Sequence, residues 1–140
     1  MKTIVVSGEK SGVGKTHLAQ ELLKNLKGWG ALKITVSKDG ACPNGRNCGI
    51  CSAIKKPFYI VKDEGVIKAP GKDTSRLKEA GAKEVIWLKA KPQGLRRGLK
   101  NALLEFSDCK GIIIEGSSVL KIFKPDLNIH VKSKGDYAVY

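Results

Sequence analysis

Thr3-Ile4-Val5-Val6-Ser7-Gly8-Glu9-Lys10-Ser11-Gly12-Val13-Gly14-Lys15-Thr16 opens the chain with an apolar run that passes through glycines into a charged turn. Thr3 to Ser7 is rich in β-branched residues and predicts a short buried strand ended by Gly8. From Lys15 the apolar spacing becomes helical, with Leu18, Leu22, Leu23 and Leu26 on one stripe, until Gly28 and Gly30 stop it. A second strand is expected at Ala31 to Val36. A strand that turns through glycines into a helix aims several backbone N–H groups at one point, where the helix N-terminus adds positive potential. Ser11, Gly12, Val13, Gly14, Lys15 and Thr16 therefore form a candidate phosphate-binding loop. In such a loop Lys15 reaches the β- and γ-phosphates and the Thr16 hydroxyl coordinates Mg²⁺. The outer loop differs from the pattern G-x-x-x-x-G-K-[ST], because Glu9 stands where the first glycine is expected and Gly8 comes one place early.

Further along, Pro57 to Val61 predicts a short strand, Glu64-Gly65 a turn, and Lys72 to Gly81 a helix stopped by Gly81. Val85 to Leu88 is a strand, Gln93 to Phe106 a helix with Leu95, Leu99, Leu103 and Phe106 inward, and Ile112 to Ile114 and Leu127 to Val131 the last two strands. Strands alternating with helices predict a three-layer α/β sandwich with a mainly parallel sheet, the P-loop nucleoside triphosphate hydrolase fold. The 140 residues fit a single nucleotide-binding domain, residues 1–140, with a cysteine-rich insert at about 40–56. Ligands of such sheets collect at the carboxyl ends of the strands. The loop at 8–14, the insert, the turn at 89–92 and the segment after Glu115 are all expected there.

A phosphate loop also needs an acid on a neighbouring strand to organise Mg²⁺. Ile112-Ile113-Ile114-Glu115-Gly116 provides one, a buried run ending in an acid and a glycine. Arg96-Arg97 offers cations to a transferring phosphate, although two arginines on a helix more often face solvent. No Asn-Lys-x-Asp segment that would read guanine follows a late strand, so the residues leave GTP and ATP equally open.

Three segments of the chain resemble the molybdopterin-guanine dinucleotide biosynthesis protein B family of small GTP-binding proteins. They are Ser11 to Thr16; Pro70-Gly71-Lys72-Asp73-Thr74, continuing through Leu77 to Ala80-Gly81-Ala82; and Ile114-Glu115-Gly116. The resemblance implies GTP binding and assistance to a partner nucleotidyltransferase in molybdenum cofactor biosynthesis. It also implies phosphate and Mg²⁺ roles for Gly14, Lys15, Thr16 and Glu115, with Asp73 near the phosphates. On this reading Lys15, Asp73 and Glu115 are the candidate catalytic groups. Asp73 has an alternative role as the cap of the helix that begins there. After Lys33, which resembles a family lysine, the family runs into His- and Asp-rich residues; this chain continues Ile34-Thr35-Val36 and then enters the insert.

Within that insert Cys42, Cys48 and Cys51 have the spacing C-x5-C-x2-C. The C-x2-C end lets two thiolates converge on one metal, and three thiolates suit Zn²⁺ with a fourth ligand or an iron–sulfur cluster. A redox pair with a spare thiol is the alternative. Cys109 precedes a strand and is expected at the opposite end of the sheet, while His17 and His130 are lone histidines of the structural kind. A fourth ligand from a second subunit, which would make the protein a homodimer, from a partner, or from a bound substrate is equally open.

The net charge of +13 asks for an anionic partner, which nucleotide phosphates satisfy; lysines spread along the chain with few aromatics disfavour a nucleic-acid surface. The first apolar run is too short for a signal-peptide core and no stretch approaches a membrane span, which predicts a cytoplasmic protein. The expected function is an accessory nucleotide-binding protein, possessing at most slow NTPase activity, in molybdenum cofactor or metal-centre assembly. A metal- or redox-sensing module and a small-molecule kinase are the competing classes.

Overall fold

The computed structural model describes residues 1–8, 14–37, 56–133 and 136–140. Its seven strands are β1 (Lys2–Gly8), β2 (Gly30–Val36), β3 (Phe58–Val61), β4 (Val85–Ala90), β5 (Gly111–Glu115), β6 (Leu127–Ser133) and β7 (Asp136–Val139). They form one sheet in the order β3-β4-β2-β5-β1-β6-β7. The five central strands run parallel, and β3 and β7 close the two edges antiparallel.

The helices are α1 (Lys15–Asn25), α2 (Glu64–Ile67), α3 (Asp73–Glu79) and α4 (Leu95–Leu104). Helices cover both faces because the inner strands are apolar on both sides. On one face Leu95, Leu99 and Ala102 of α4, with Phe106 just beyond it, pack on Leu32, Ile34, Ile86, Leu88, Ile112 and Ile114. On the other, Ala19 and Leu23 of α1, Ile67 of α2 and Leu77 of α3 pack on Val6, Ala31, Val85 and Ile113. This mixed α/β architecture agrees with the sandwich expected from the alternating elements.

Several elements differ from expectation. Leu127 to Val131 is not the last strand, since β7 pairs antiparallel with β6. Its side chains alternate weakly, with Tyr137 and Val139 both exposed, so no burial pattern marks it. Glu64-Gly65 begins a single helical turn, nucleated by Asp63, whose carboxylate accepts from the N–H groups of Gly65 and Val66. Of the expected α1 stripe only Leu23 is fully covered; Leu18, Leu22 and Leu26 are half-buried, and Ala19, outside that stripe, is fully buried. Among the described residues no helix is long and apolar enough to cross a membrane.

Candidate functional site

The carboxyl ends of β1, β2, β4 and β5 open together, as a parallel sheet requires. Two backbone devices shape the opening. Gly14, in the left-handed conformation at φ 103°, is the N-cap of α1, and among the described residues no side chain caps that helix. Among the described residues the first N–H groups of α1 therefore have no side-chain cap, at a place where an anion gains most from them. Gly116 leaves β5 at φ 152° and donates its N–H to the Val6 carbonyl at 3.1 Å. A Cβ there would come within 3.3 Å of Ile34. Beside it, the Ser117 hydroxyl accepts from the Gly8 N–H and donates to the Gly8 carbonyl at 2.9 Å, which fixes the exit of β1.

Between these devices Thr16 Oγ1 donates to Glu115 Oε1 at 2.7 Å. Glu115 is only 6% exposed, and its Oε2 is buried with no hydrogen-bond partner among the described residues. Burial pushes its carboxyl above the ordinary carboxylate range; the Thr16 hydrogen bond, Lys33 and Lys15 pull the other way, and Asp73 adds to the rise. A buried carboxylate with one oxygen unclaimed is costly unless a cation is supplied. A hydroxyl plus a carboxylate is an oxygen donor set that fits Mg²⁺.

Lys33 sits mid-strand in β2, paired in register with Glu115 on one side and with Trp87 on the other. Its Nζ reaches Asp73 Oδ2 at 2.7 Å, and Asp73 is also 3.8 Å from Arg76. The N-cap of α3 is Lys72, with no side-chain cap bond, so the helix-capping role considered for Asp73 does not hold. The carboxylate instead ties the start of α3 to β2, close enough to act on Glu115.

Lys15, Thr16, Asp73 and Glu115 are thus gathered at one place, with Gly14 at its rim. Ser11, Gly12 and Val13 of the loop, and Cys42, Cys48 and Cys51 of the insert, lie outside the described residues. Among the described residues no group of three or more His, Cys, Asp or Glu side chains could hold a metal ion. Cys109 stands at the amino end of β5, half-buried, and burial pushes its thiol up. Arg96 and Arg97 are exposed on α4, whose core side packs on the opposite face of the sheet. His17 is exposed on α1.

Two clusters escaped the sequence reading. Ser7, fully buried, donates to Asn128 Oδ1 and meets His130 Nδ1 at 3.0 Å, which leaves Nδ1 as the donor of that bond. Because Ser7 is sealed from solvent, the pair braces β1 against β6 and offers no nucleophile. The second cluster surrounds Trp87, whose ring lies 4.0 Å from Lys89 Nζ, 5.4 Å from Lys33 Nζ and 5.6 Å from Lys72 Nζ. Its sequence signal is a lysine inside each of two apolar strands, Leu32-Lys33-Ile34 and Leu88-Lys89-Ala90.

Comparison of the chain with family models, curated proteins and solved structures finds no match to any of them.

Proposed function

We propose that the protein binds a nucleoside triphosphate with Mg²⁺ at the carboxyl ends of β1 and β5. The observation that carries this reading is the Thr16–Glu115 contact, with the second carboxylate oxygen buried and, among the described residues, unclaimed beside a helix N-terminus that none of them caps. The strand order, with β1 flanked by β5 and β6, supports a P-loop fold.

Each residue then has a task. The N-terminal N–H groups of α1 and the Lys15 ammonium hold phosphate oxygens. Thr16 Oγ1 and Glu115 would hold Mg²⁺, which when bound supplies charge neutralisation to the phosphates. Asp73 orients Lys33 toward the same pocket, and Ser117 holds β1 in the direction from which the loop departs. The two segments around Asp73 and Glu115 that resemble the molybdopterin-guanine dinucleotide family supply the second half of the reading: an accessory GTP- or ATP-binding protein, with slow hydrolysis at most, serving a partner enzyme in cofactor or metal-centre assembly. Thiolates of the insert would contribute zinc or an iron–sulfur cluster to that task.

Calorimetric titration of the wild type and of Lys15→Ala with GTP and with ATP, in the presence of Mg²⁺, tests the nucleotide site. Lys15→Ala is expected to abolish binding, and unchanged affinity would refute the assignment.

A further inference from the structure

We propose that the outer face of α4 docks an acidic helix of a partner protein, which sets carboxylates against Arg96, Arg97 and Lys100 and an apolar side chain against Leu104. The face is separate from the nucleotide site, because α4 packs on the opposite side of the sheet from α1. Helical spacing aligns Arg97, Lys100 and Leu104 away from the buried Leu95, Leu99 and Ala102, with Arg96 on the flank. All four are exposed, and Leu104, at 72%, is the most exposed large hydrophobic side chain among the described residues.

The cations of α4 stand where local helix energetics disfavour them. Arg96 and Arg97 occupy the first turn, at the positive end of the helix dipole, and that turn holds no acid. Arg96 and Lys100 are four residues apart, a spacing at which like charges repel. The other helices set a cation against an acid close by in sequence: Lys24 with Glu21 in α1, Lys68 just after α2 with Glu64, and Arg76 with Asp73 in α3. Among the described residues Arg96, Arg97 and Lys100 make no ion pair, and the acids outside those residues are Glu9 and Asp39 alone. The chain therefore cannot pair all three cations by itself.

Residue type separates this face from the general lysine surface. Only four of the 26 basic residues are arginine, Arg46, Arg76, Arg96 and Arg97, so two of the four stand side by side on α4. A guanidinium meets a carboxylate with two parallel hydrogen bonds, which suits an interface better than a solvated ammonium does. The face is also held still. A Cβ on Gly94 would strike the Pro57 carbonyl, and one on Gly98 would come 3.0 Å from Phe58 Cγ, so these glycines let β3 and the residue before it lie directly against the start of α4. Phe58 is thereby fixed beneath Arg97, whose guanidinium lies 5.9 Å from its ring. A side chain steadied in advance loses less entropy on binding. A nucleic-acid strand would need rings open for stacking, and Arg97 covers this one. A membrane surface would need an apolar stripe, whereas Leu104 is the single large apolar side chain among the exposed residues of α4. Arg97 to Leu104 spans about 10 Å, two turns, which a ridge of a second helix matches.

The probe is a labelled, alanine-based helical peptide of about 20 residues with glutamates and leucines along one face, titrated with the full chain and followed by fluorescence anisotropy. A second peptide has alanine in place of the leucines. Saturable binding of the first peptide is expected, weakened about tenfold in the double variant Arg96→Ala/Arg97→Ala. Leu104→Ala should weaken it about threefold and leave the leucine-free peptide unaffected. Lys121→Ala/Lys124→Ala removes the same charge from exposed positions elsewhere and should change affinity by less than about twofold. All these side chains are exposed, so the variants are safe for folding. An unbound acidic peptide, equal losses in the two double variants, or a Leu104→Ala effect indifferent to the peptide leucines would overturn the proposal. So would tighter binding of oligodeoxythymidine or of phosphatidylserine vesicles that is lost in Arg96→Ala/Arg97→Ala, which would reassign the face to that partner.

Discussion

Glu115→Gln isolates the charge of the buried carboxylate from its shape. The amide keeps an oxygen to accept from Thr16 Oγ1, now 2.7 Å from Glu115 Oε1, and removes a negative charge that burial already disfavours. In the free protein the weaker Thr16 bond is offset by relief of that desolvation, so stability should change by no more than about 1 kcal/mol. Mg²⁺-dependent affinity responds differently. A contact to an ionised group contributes about 1.5–3 kcal/mol, which corresponds to roughly 10- to 150-fold in binding. The assay is nucleotide titration with Mg²⁺ and with EDTA, and the quantity of interest is the ratio of the two affinities. The variant should lower this ratio by that factor while leaving the EDTA value nearly unchanged; an unchanged ratio would refute the Mg²⁺ role of Glu115. The same variant carries a pH signature. Because the folded carboxyl titrates above its unfolded value, the native state binds the proton more tightly. Stability of the nucleotide-free wild type is then highest below the ordinary carboxylate range and falls as pH rises toward the raised folded value. Urea denaturation across about pH 4 to 8 should show this decline in the wild type and a shallower one in Glu115→Gln. Equal slopes would mean that burial of Glu115 does not perturb its titration.

Gly30→Ala would place a Cβ 2.5 Å from Phe106 Cδ1 and 3.0 Å from Cys109 Sγ. Phe106 is fully buried, so a loss of about 1–3 kcal/mol is expected in denaturant unfolding, with nucleotide affinity retained. Elemental analysis of anaerobically purified protein should find zinc or iron that is lost in Cys48→Ser, and a metal-free wild type would argue against thiolate ligation.

The central strands were readable because glycines or polar residues bound their apolar runs, as Gly8 ends β1 and Gly111 begins β5. β7 was not: Asp136-Tyr137-Ala138-Val139 lies at an edge where little is buried, so composition and period carry no message. Lys15, Thr16 and Glu115 could be named because each belongs to a local pattern with a mechanism. The Lys33–Asp73 pair could not, since its partners are 40 residues apart and only the docking of α3 on the sheet joins them. The Trp87 cluster depends on the β4-β2-β5 order, a tertiary fact. Charged residues inside apolar strands were the available clue, and they said that something unusual was buried without saying what.

The amino ends of the strands carry no candidate site and are locked by other means. Lys110 N–H bonds the Gly28 carbonyl, Lys83 N–H bonds the Trp29 carbonyl, and Trp29 lies where a Cβ on Gly111 would be. Stability and ligand chemistry therefore occupy opposite poles of the same sheet. Substitutions that loosen or tighten the Trp29 pole can accumulate, and be repaired, without passing through the residues that face a ligand. A lineage carrying this sheet could thus adapt its melting temperature and its chemistry as two separate traits, and an engineer could do the same.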